Sequence, residues 1–335
     1  MLVSLMRWQN REHRNGDGSL RRTPIQTQGA ILITGAQGFI GRAVAQLLEA
    51  SGRRLVRLDQ VAPEIPSGQD SSVRAACDIS EEGQLRRVFE AEGIGGIIHL
   101  AAVLPTAAQR DPWRGTQANI TGSLNLLQLG REFGVGRFVF GSSLSIYGTC
   151  PATRVVSEAD RAAPEDLYGA AKLYVEQLGR AYAGLSFVSL RIGRVVGPGA
   201  QSKTSAWRSE IFELLHADEP VRIKLPYVGV ERVLLAHVDD IAKALASLLG
   251  ATRICHGVYN APCEPVAVAD LKHQVEALNP NITVELGETY AAGNPRGVDF
   301  SRFRDEFGFE GPPIFERLRA AAVKNGRAIP QSGPR

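Results

Sequence analysis

Cysteine is scarce in these 335 residues: Cys77, Cys150, Cys255 and Cys263 are the only four, and no two form a C-x-x-C pair. That pattern excludes a zinc ribbon, a thioredoxin-type redox pair and a disulfide framework. Reduced, mostly buried cysteines in a cytoplasmic protein are the expectation. Cys255 beside His256 is a single adjacent pair, too little for a metal centre, so no metal is expected. No apolar run approaches the roughly 20 residues that a membrane span requires. The body also lacks an excess of either charge. The formal +3 sits in residues 1–28, where Arg7, Arg11, Arg14, Arg21 and Arg22 face only Glu12 and Asp17. The remainder balances, which argues against nucleic acid as a partner. Residues 1–28 lack both apolar periodicity and the apolar core of a secretory signal, and are expected to form a disordered extension.

The residues that are present describe an ordinary globular chain, 44% hydrophobic and 22% charged, long enough to build its own core. Apolar runs at 30–34, 55–58, 96–102, 137–140 and 187–192 predict buried strands. Helical patterns at 42–50, 83–92, 116–133 and 168–182 separate them. This alternation predicts an α/β fold, a doubly wound parallel sheet covered on both faces. It weakens after about residue 195, where prolines break the chain. The expected organisation is a dinucleotide-binding domain over 29–195 and a smaller, irregular C-terminal substrate lobe over 196–335, with 230–260 returning to the main domain.

Thr34-Gly35-Ala36-Gln37-Gly38-Phe39-Ile40-Gly41 joins the first strand to the first helix. Gly35 permits the tight turn, Gly38 lets a pyrophosphate approach the backbone, and Gly41 lets the helix pack on the sheet. Phe39 and Ile40 open that helix. Asp59 ends the second strand, where a carboxylate accepts hydrogen bonds from an adenosine ribose and repels a 2′-phosphate. NAD is therefore expected over NADP, although Arg53, Arg54 and Arg57 stand nearby.

Tyr168 and Lys172 lie one helical turn apart on the same face. A phenol is a poor base at neutral pH, and a neighbouring ammonium favours its ionised form. Ser143 follows the fourth strand at the sheet's C-terminal edge, where reactive groups collect in such folds.

In order along the chain, TGAQGFIG (34–41), Asp59, Asp78-Ile79, HLAA (99–102), Asn119, FGSSLSIYG (140–148), YGAAK (168–172), LRIGRVVGPG (190–199) and HVDD (237–240) resemble the extended short-chain dehydrogenase/reductase family, also called the NAD-dependent epimerase/dehydratase family. The resemblance covers about residues 30–325 and implies a Rossmann-type fold. It further implies that Asp78 and Ile79 flank the adenine and that Leu100, Ala101, Ala102 and Asn119 line the cofactor. Tyr168 would remove a proton from a substrate hydroxyl held by Ser143, while Lys172 lowers the phenol's pKa and bonds the nicotinamide ribose. A homodimer through two helices per subunit is also implied.

The branch of the family follows from departures. Leu144 and Ser145 stand where dehydratases carry an acid pair. Arg194 replaces the asparagine of UDP-galactose 4-epimerase, and Arg232 precedes His237 by five residues where nucleotide-sugar members place an arginine four before. The stretch around Ser205–Ser209 resembles members that oxidise small sugar acids, such as D-erythronate dehydrogenase. The resulting expectation is a hydride transfer between NAD and a sugar acid or polyol. Ser143, Ser145, Arg194, Trp207 and Arg208 would touch the substrate, and Arg194 or Arg208 would hold a carboxylate. A nucleotide-sugar 4-epimerase and a non-catalytic NAD-binding regulator are the alternatives.

Overall fold

A computed structural model describes residues 29–61, 72–151, 153–199 and 205–323. The expectation of a disordered extension over 1–28 falls outside them. Seven parallel strands form the main sheet. From one edge to the other they are Val258–Asn260, Phe187–Ile192, Arg137–Ser143, Ile94–His99, Ala30–Thr34, Leu55–Asp59 and Ser72–Ala76. The direction of progression reverses between Ala30–Thr34 and Ile94–His99, the switch point at which such sheets bind ligands.

Alternate residues of each central strand feed opposite layers, because strand side chains alternate in direction. Ile31 and Ile33 join Val44, Leu48, Ile241 and Leu245 on one face. Ala30 and Leu32 join Leu85, Phe89, Leu126 and Phe138 on the other. The helix Val238–Gly250 thus packs on the main sheet, and Val258–Asn260 extends it.

The periodicity placed most elements, with differences that have physical causes. The strand expected over 96–102 runs Ile94–His99: the Leu100 amide still reaches the Thr34 carbonyl at 3.1 Å, and the Ala101 amide turns to the Thr34 hydroxyl. The helix expected over 116–133 begins with a π-helical turn, Gln117–Thr121, ahead of Gly122–Glu132. Ser72–Ala76 was not anticipated: it is a half-exposed edge strand without a continuous apolar run.

The second lobe has its own core of Val196, Trp207, Ile211, Phe212, Ile223, Leu225 and their neighbours. Its framework is a three-stranded sheet of Glu264–Ala267, Arg232–His237 and Arg194–Val196 and a parallel pair, Val221–Tyr227 with Ile282–Thr289. No helix among the described residues is long and apolar enough to cross a membrane.

Candidate active site

The glycine loop turns directly out of Ala30–Thr34. Gly35 has φ +70°, and a Cβ on Gly41 would lie 2.1 Å from the Gly35 carbonyl oxygen, so the helix Phe39–Ala50 can start this close only without side chains there. Its N-terminus carries no side-chain cap and no acid in the first turn. The first amides of a helix have no intrahelical partner, and the helix dipole favours an anion there. This loop fits the pyrophosphate of a dinucleotide.

Asp59 is held beside it. Its Oδ2 accepts from the Gln37 amide at 2.9 Å and its Oδ1 from the Gln60 amide at 2.8 Å. Each carboxylate oxygen can accept a further bond, so a ribose can still be served. Arg57 pairs with Glu49 and Arg54 with Glu92, which commits two of the nearby arginines away from a 2′-phosphate. Asp78 Oδ1 accepts from the amide and hydroxyl of Ser80, at 2.9 and 2.7 Å. Ile79 is buried beneath Gly122.

Asn119 works through the backbone. Its Oδ1 accepts from the Val103 amide at 2.7 Å and its Nδ2 donates to the Val103 carbonyl at 2.9 Å, so it clamps the segment that follows Leu100, Ala101 and Ala102. A buried chain that sequence reasoning missed completes the support. Ser123 Oγ donates to the Asn119 carbonyl at 2.8 Å, which spends its one hydrogen. The His99 Nε2, 2.8 Å away, must therefore carry a proton and donate to Ser123. The His99 Nδ1 then accepts from the Thr34 hydroxyl at 2.7 Å. Burial holds this imidazole neutral, well below the ordinary histidine pKa.

Ser143 ends its strand at the C-terminal edge of the sheet. Its Oγ accepts from the Ser145 amide at 3.1 Å and the Ser145 hydroxyl at 2.8 Å, so its own hydrogen remains free to donate. Asp166 caps the next helix by accepting from the Gly169 amide at 2.6 Å. Gly169 lies against the Ser145 carbonyl, which brings the turn bearing Tyr168 and Lys172 onto the Ser143–Ser145 turn. Lys172 is buried. Its Nζ donates to the Gly141 carbonyl at 2.7 Å and sits 5.5 Å from the centre of the Tyr168 ring.

The electrostatics differ from the expectation. Burial pushes the Tyr168 phenol up, and Asp166 pushes it further the same way. Burial pulls Lys172 down to about 7, against the opposing pull of Glu176. In the chain alone, burial disfavours the charged form of both groups. Behind Lys172, Glu176 is fully buried, accepting from Ser142 Oγ at 2.6 Å and from Arg191 Nε and Nη2 at 3.0 and 2.8 Å. Arg191 also donates to the Tyr147 hydroxyl at 2.7 Å. The sequence offered one clue to this network, the spacing of Glu176 one turn after Lys172.

Among the expected substrate residues, Ser145 is buried and bonded to Ser143. Trp207 is 3% exposed and packs in the lobe core. It meets Tyr227 edge-on at 6.1 Å. Arg194 and Arg208 converge on Tyr227, a residue the sequence did not single out.

A doubly wound sheet with an uncapped glycine-loop helix at its switch point and a serine, tyrosine and lysine at the same edge defines a dinucleotide-dependent class. The chain belongs to the NAD dependent epimerase/dehydratase family, which matches residues 31–261. It is 30% identical over 238 residues to the UDP-glucuronate 4-epimerase of Thermodesulfobacterium geofontis, covering 66% of this chain and 72% of that protein. It is 34% identical over 178 residues to the D-erythronate dehydrogenase of Cupriavidus necator, covering 49% of this chain and 54% of that one. This chain therefore spans about half the length of the second relative. The fold superposes on MoeE5 in complex with UDP-glucose and NAD with a TM-score of 0.71 at 25% identity, over 88% of this chain and 97% of that one.

Proposed function

We propose that this chain is an NAD-dependent oxidoreductase that moves a hydride between nicotinamide and a carbohydrate-like secondary alcohol, a sugar acid or polyol. The observation that carries the reading is the packing of the Tyr168–Lys172 turn onto the Ser143–Ser145 turn at the sheet edge that also carries the glycine loop. In this reading Gly35, Gly38, Phe39, Ile40 and Gly41 cradle the pyrophosphate, and Asp59 takes the adenosine ribose. A small carbohydrate-like ligand, a cytoplasmic setting and a homodimer belong to the same reading.

Ser143, already accepting two hydrogen bonds, donates its own hydrogen to the substrate oxygen and stabilises negative charge developing there. Tyr168, as its phenolate, takes the hydroxyl proton and becomes the neutral phenol. Lys172, near 7, can carry its charge at neutral pH. One of its hydrogens goes to Gly141, which leaves two for a ribose hydroxyl and the tyrosine oxygen. A nicotinamide held beside Lys172 would supply the hydride acceptor and, in its oxidised form, one positive charge. That charge would oppose the burial that raises the phenol in the chain alone.

Tyr168→Phe keeps the ring and removes the proton acceptor. Turnover on an accepted sugar acid or polyol should fall about 10²–10⁴-fold, with NAD affinity retained because the glycine loop and Asp59 are untouched. Stopped-flow NAD reduction and an NAD titration read the two quantities, and near-full turnover in the variant would sink the assignment. A 4-epimerase of nucleotide sugars is the second reading, favoured by the similarity to a UDP-glucuronate 4-epimerase. Interconversion of UDP-sugars without net NADH release would select it.

A further inference from the structure

Arg208 is a partly buried cation with no counter-ion among the described residues. Its Nε is buried and lacks a hydrogen-bond partner. The groups that act on its charge are the Tyr227 phenol and the Arg194 guanidinium, and no carboxylate is among them. Burying an uncompensated charge is expensive, so a retained one points to an anion that arrives with a ligand.

The surroundings are built for such an arrival. Arg194 Nε donates to the Tyr227 hydroxyl oxygen at 3.0 Å, and its Nη2 donates to the Ala292 carbonyl at 3.3 Å. The Arg194 guanidinium carbon lies 5.6 Å from the centre of the Tyr227 ring. Tyr227 oxygen thus accepts, and its own hydrogen has no acceptor among the described residues. Trp207 is the fixed post behind both groups, with Tyr227 edge-on to it and Arg208 6.0 Å from its ring. Arg194 comes two residues after Ile192, and Ile192 pairs with Ser143 in the main sheet. The cluster therefore begins at the same strand edge as the candidate chemistry.

Two other arginines of this lobe are engaged elsewhere. Arg296 is held by both oxygens of buried Glu231, at 2.8 and 3.0 Å. Arg232 is exposed and donates to the Pro265 carbonyl at 3.5 Å. One unspent guanidinium and one unspent hydroxyl match the two oxygens of a single planar monoanion.

We propose that Arg208 and the Tyr227 hydroxyl form an anion cup, with Arg194 as the positioning residue for Tyr227, and that it takes the carboxylate of a sugar-acid substrate. This rests on the oxidoreductase reading and narrows it from sugar acids or polyols to sugar acids.

Calorimetric titration of NADH-loaded protein tests the cup apart from the chemistry. The probes are D-gluconate, D-glucuronate and D-erythronate, their neutral counterparts sorbitol, D-glucose and erythritol, and UDP-glucose. At least one acid should bind more tightly than its neutral counterpart. Arg208→Gln should weaken that acid about 10²-fold without changing the neutral ligands, and Arg208→Lys should recover part of the loss. Tyr227→Phe should weaken it about tenfold, and Arg194→Gln should add little on top of Tyr227→Phe, since Arg194 acts through that hydroxyl. Arg208→Gln should unfold at the same temperature as the parent or higher, because it removes a buried unpaired charge, so lost binding cannot be mistaken for lost folding. Tyr168→Phe should still bind the acid. Acid binding kept there with turnover also kept would sink the proton-transfer reading and leave the cup standing. Acid binding indifferent to Arg208→Gln, no acid binding at all, or UDP-glucose binding that alone depends on Arg208 would overturn the cup.

Discussion

Lys172 is placed under two opposed demands. Its ammonium is useful beside a phenol and a cofactor ribose, yet it is buried, with the Gly141 carbonyl as its hydrogen-bond acceptor. Its folded-state pKa of about 7 lies below the ordinary lysine value of 10.5. Between those two values the unfolded chain binds the extra proton, so this group makes stability rise with pH across that window and weighs most against folding below pH 7. Lys172→Met should therefore stabilise the cofactor-free protein by about 1–4 kcal/mol, more at pH 6 than at pH 9, while turnover collapses. Thermal unfolding at the two pH values checks this. A lower melting temperature at pH 6 would mean that the Gly141 bond outweighs the buried charge. Gly35, Gly41, Asp59, Ser143, Tyr168 and Lys172 were legible in the sequence because each stands at a local landmark, a strand end or a helix start. Tyr227 and the Glu176–Arg191 pair were not, because their partners come from distant segments and no local spacing encodes that meeting. Arg194 and Arg208 were legible only as alternatives. Their difference is one of hydrogen-bond occupancy, which a sequence does not carry.

Between elements, the chain Thr34–His99–Ser123–Asn119 ties the strands Ala30–Thr34 and Ile94–His99 and the π-helical turn into one support for the loop at Leu100–Val103. The ladder ends just past His99, where the Ala101 amide turns to the Thr34 hydroxyl. Apolar periodicity continues through Leu100 and Ala102, so it overran the true end, since hydrophobicity reports burial and not the direction of an amide. His99→Leu leaves the Thr34 and Ser123 hydroxyls without their imidazole partner and should cost about 1–3 kcal/mol. The loop it frees should also bind NAD more weakly. The pH dependence gives a sharper sign. A histidine whose folded pKa is depressed contributes stability that is lost as pH falls below its unfolded value near 6.5. The variant should therefore be less sensitive to mild acid than the parent, even though it is weaker at pH 7. Melting curves from pH 5 to 8 measure both effects. An unchanged acid limb would exclude His99 as its source.

At the scale of the whole molecule, the two lobes share segments. The helix Val238–Gly250 follows a lobe strand directly and packs into the core of the main sheet, so no single cut separates them. In the sequence that interleaving is the expected return of residues 230–260 to the main domain. The C-terminal helix Ile314–Val323 contributes Ile314 and Leu318 to the lobe core and reaches the returning helix through an ion pair between Arg317 and buried Asp240. Burial pushes Asp240 up and Asp239 adds to this, while Arg317 and, less strongly, Lys243 hold it down. An acid whose folded pKa is raised makes stability fall as pH climbs through and above its unfolded value. Removing Arg317 takes away the larger of the two opposing charges and raises Asp240 further. Arg317→Met should therefore cost about 3–5 kcal/mol at pH 8, the penalty for leaving one partner of a buried pair uncompensated. Lowering the pH to 5 should restore part of that loss, because protonated Asp240 no longer needs a cation. Arg317→Met combined with Asp240→Asn should recover stability at pH 8 and lose the pH dependence, since the amide carries no charge to leave unpaired. Denaturant unfolding of the parent, the single and the double variant at both pH values gives the comparison. A single variant equally unstable at pH 5 and 8 would show that Arg317 joins the lobes by packing its aliphatic stem, not by its charge.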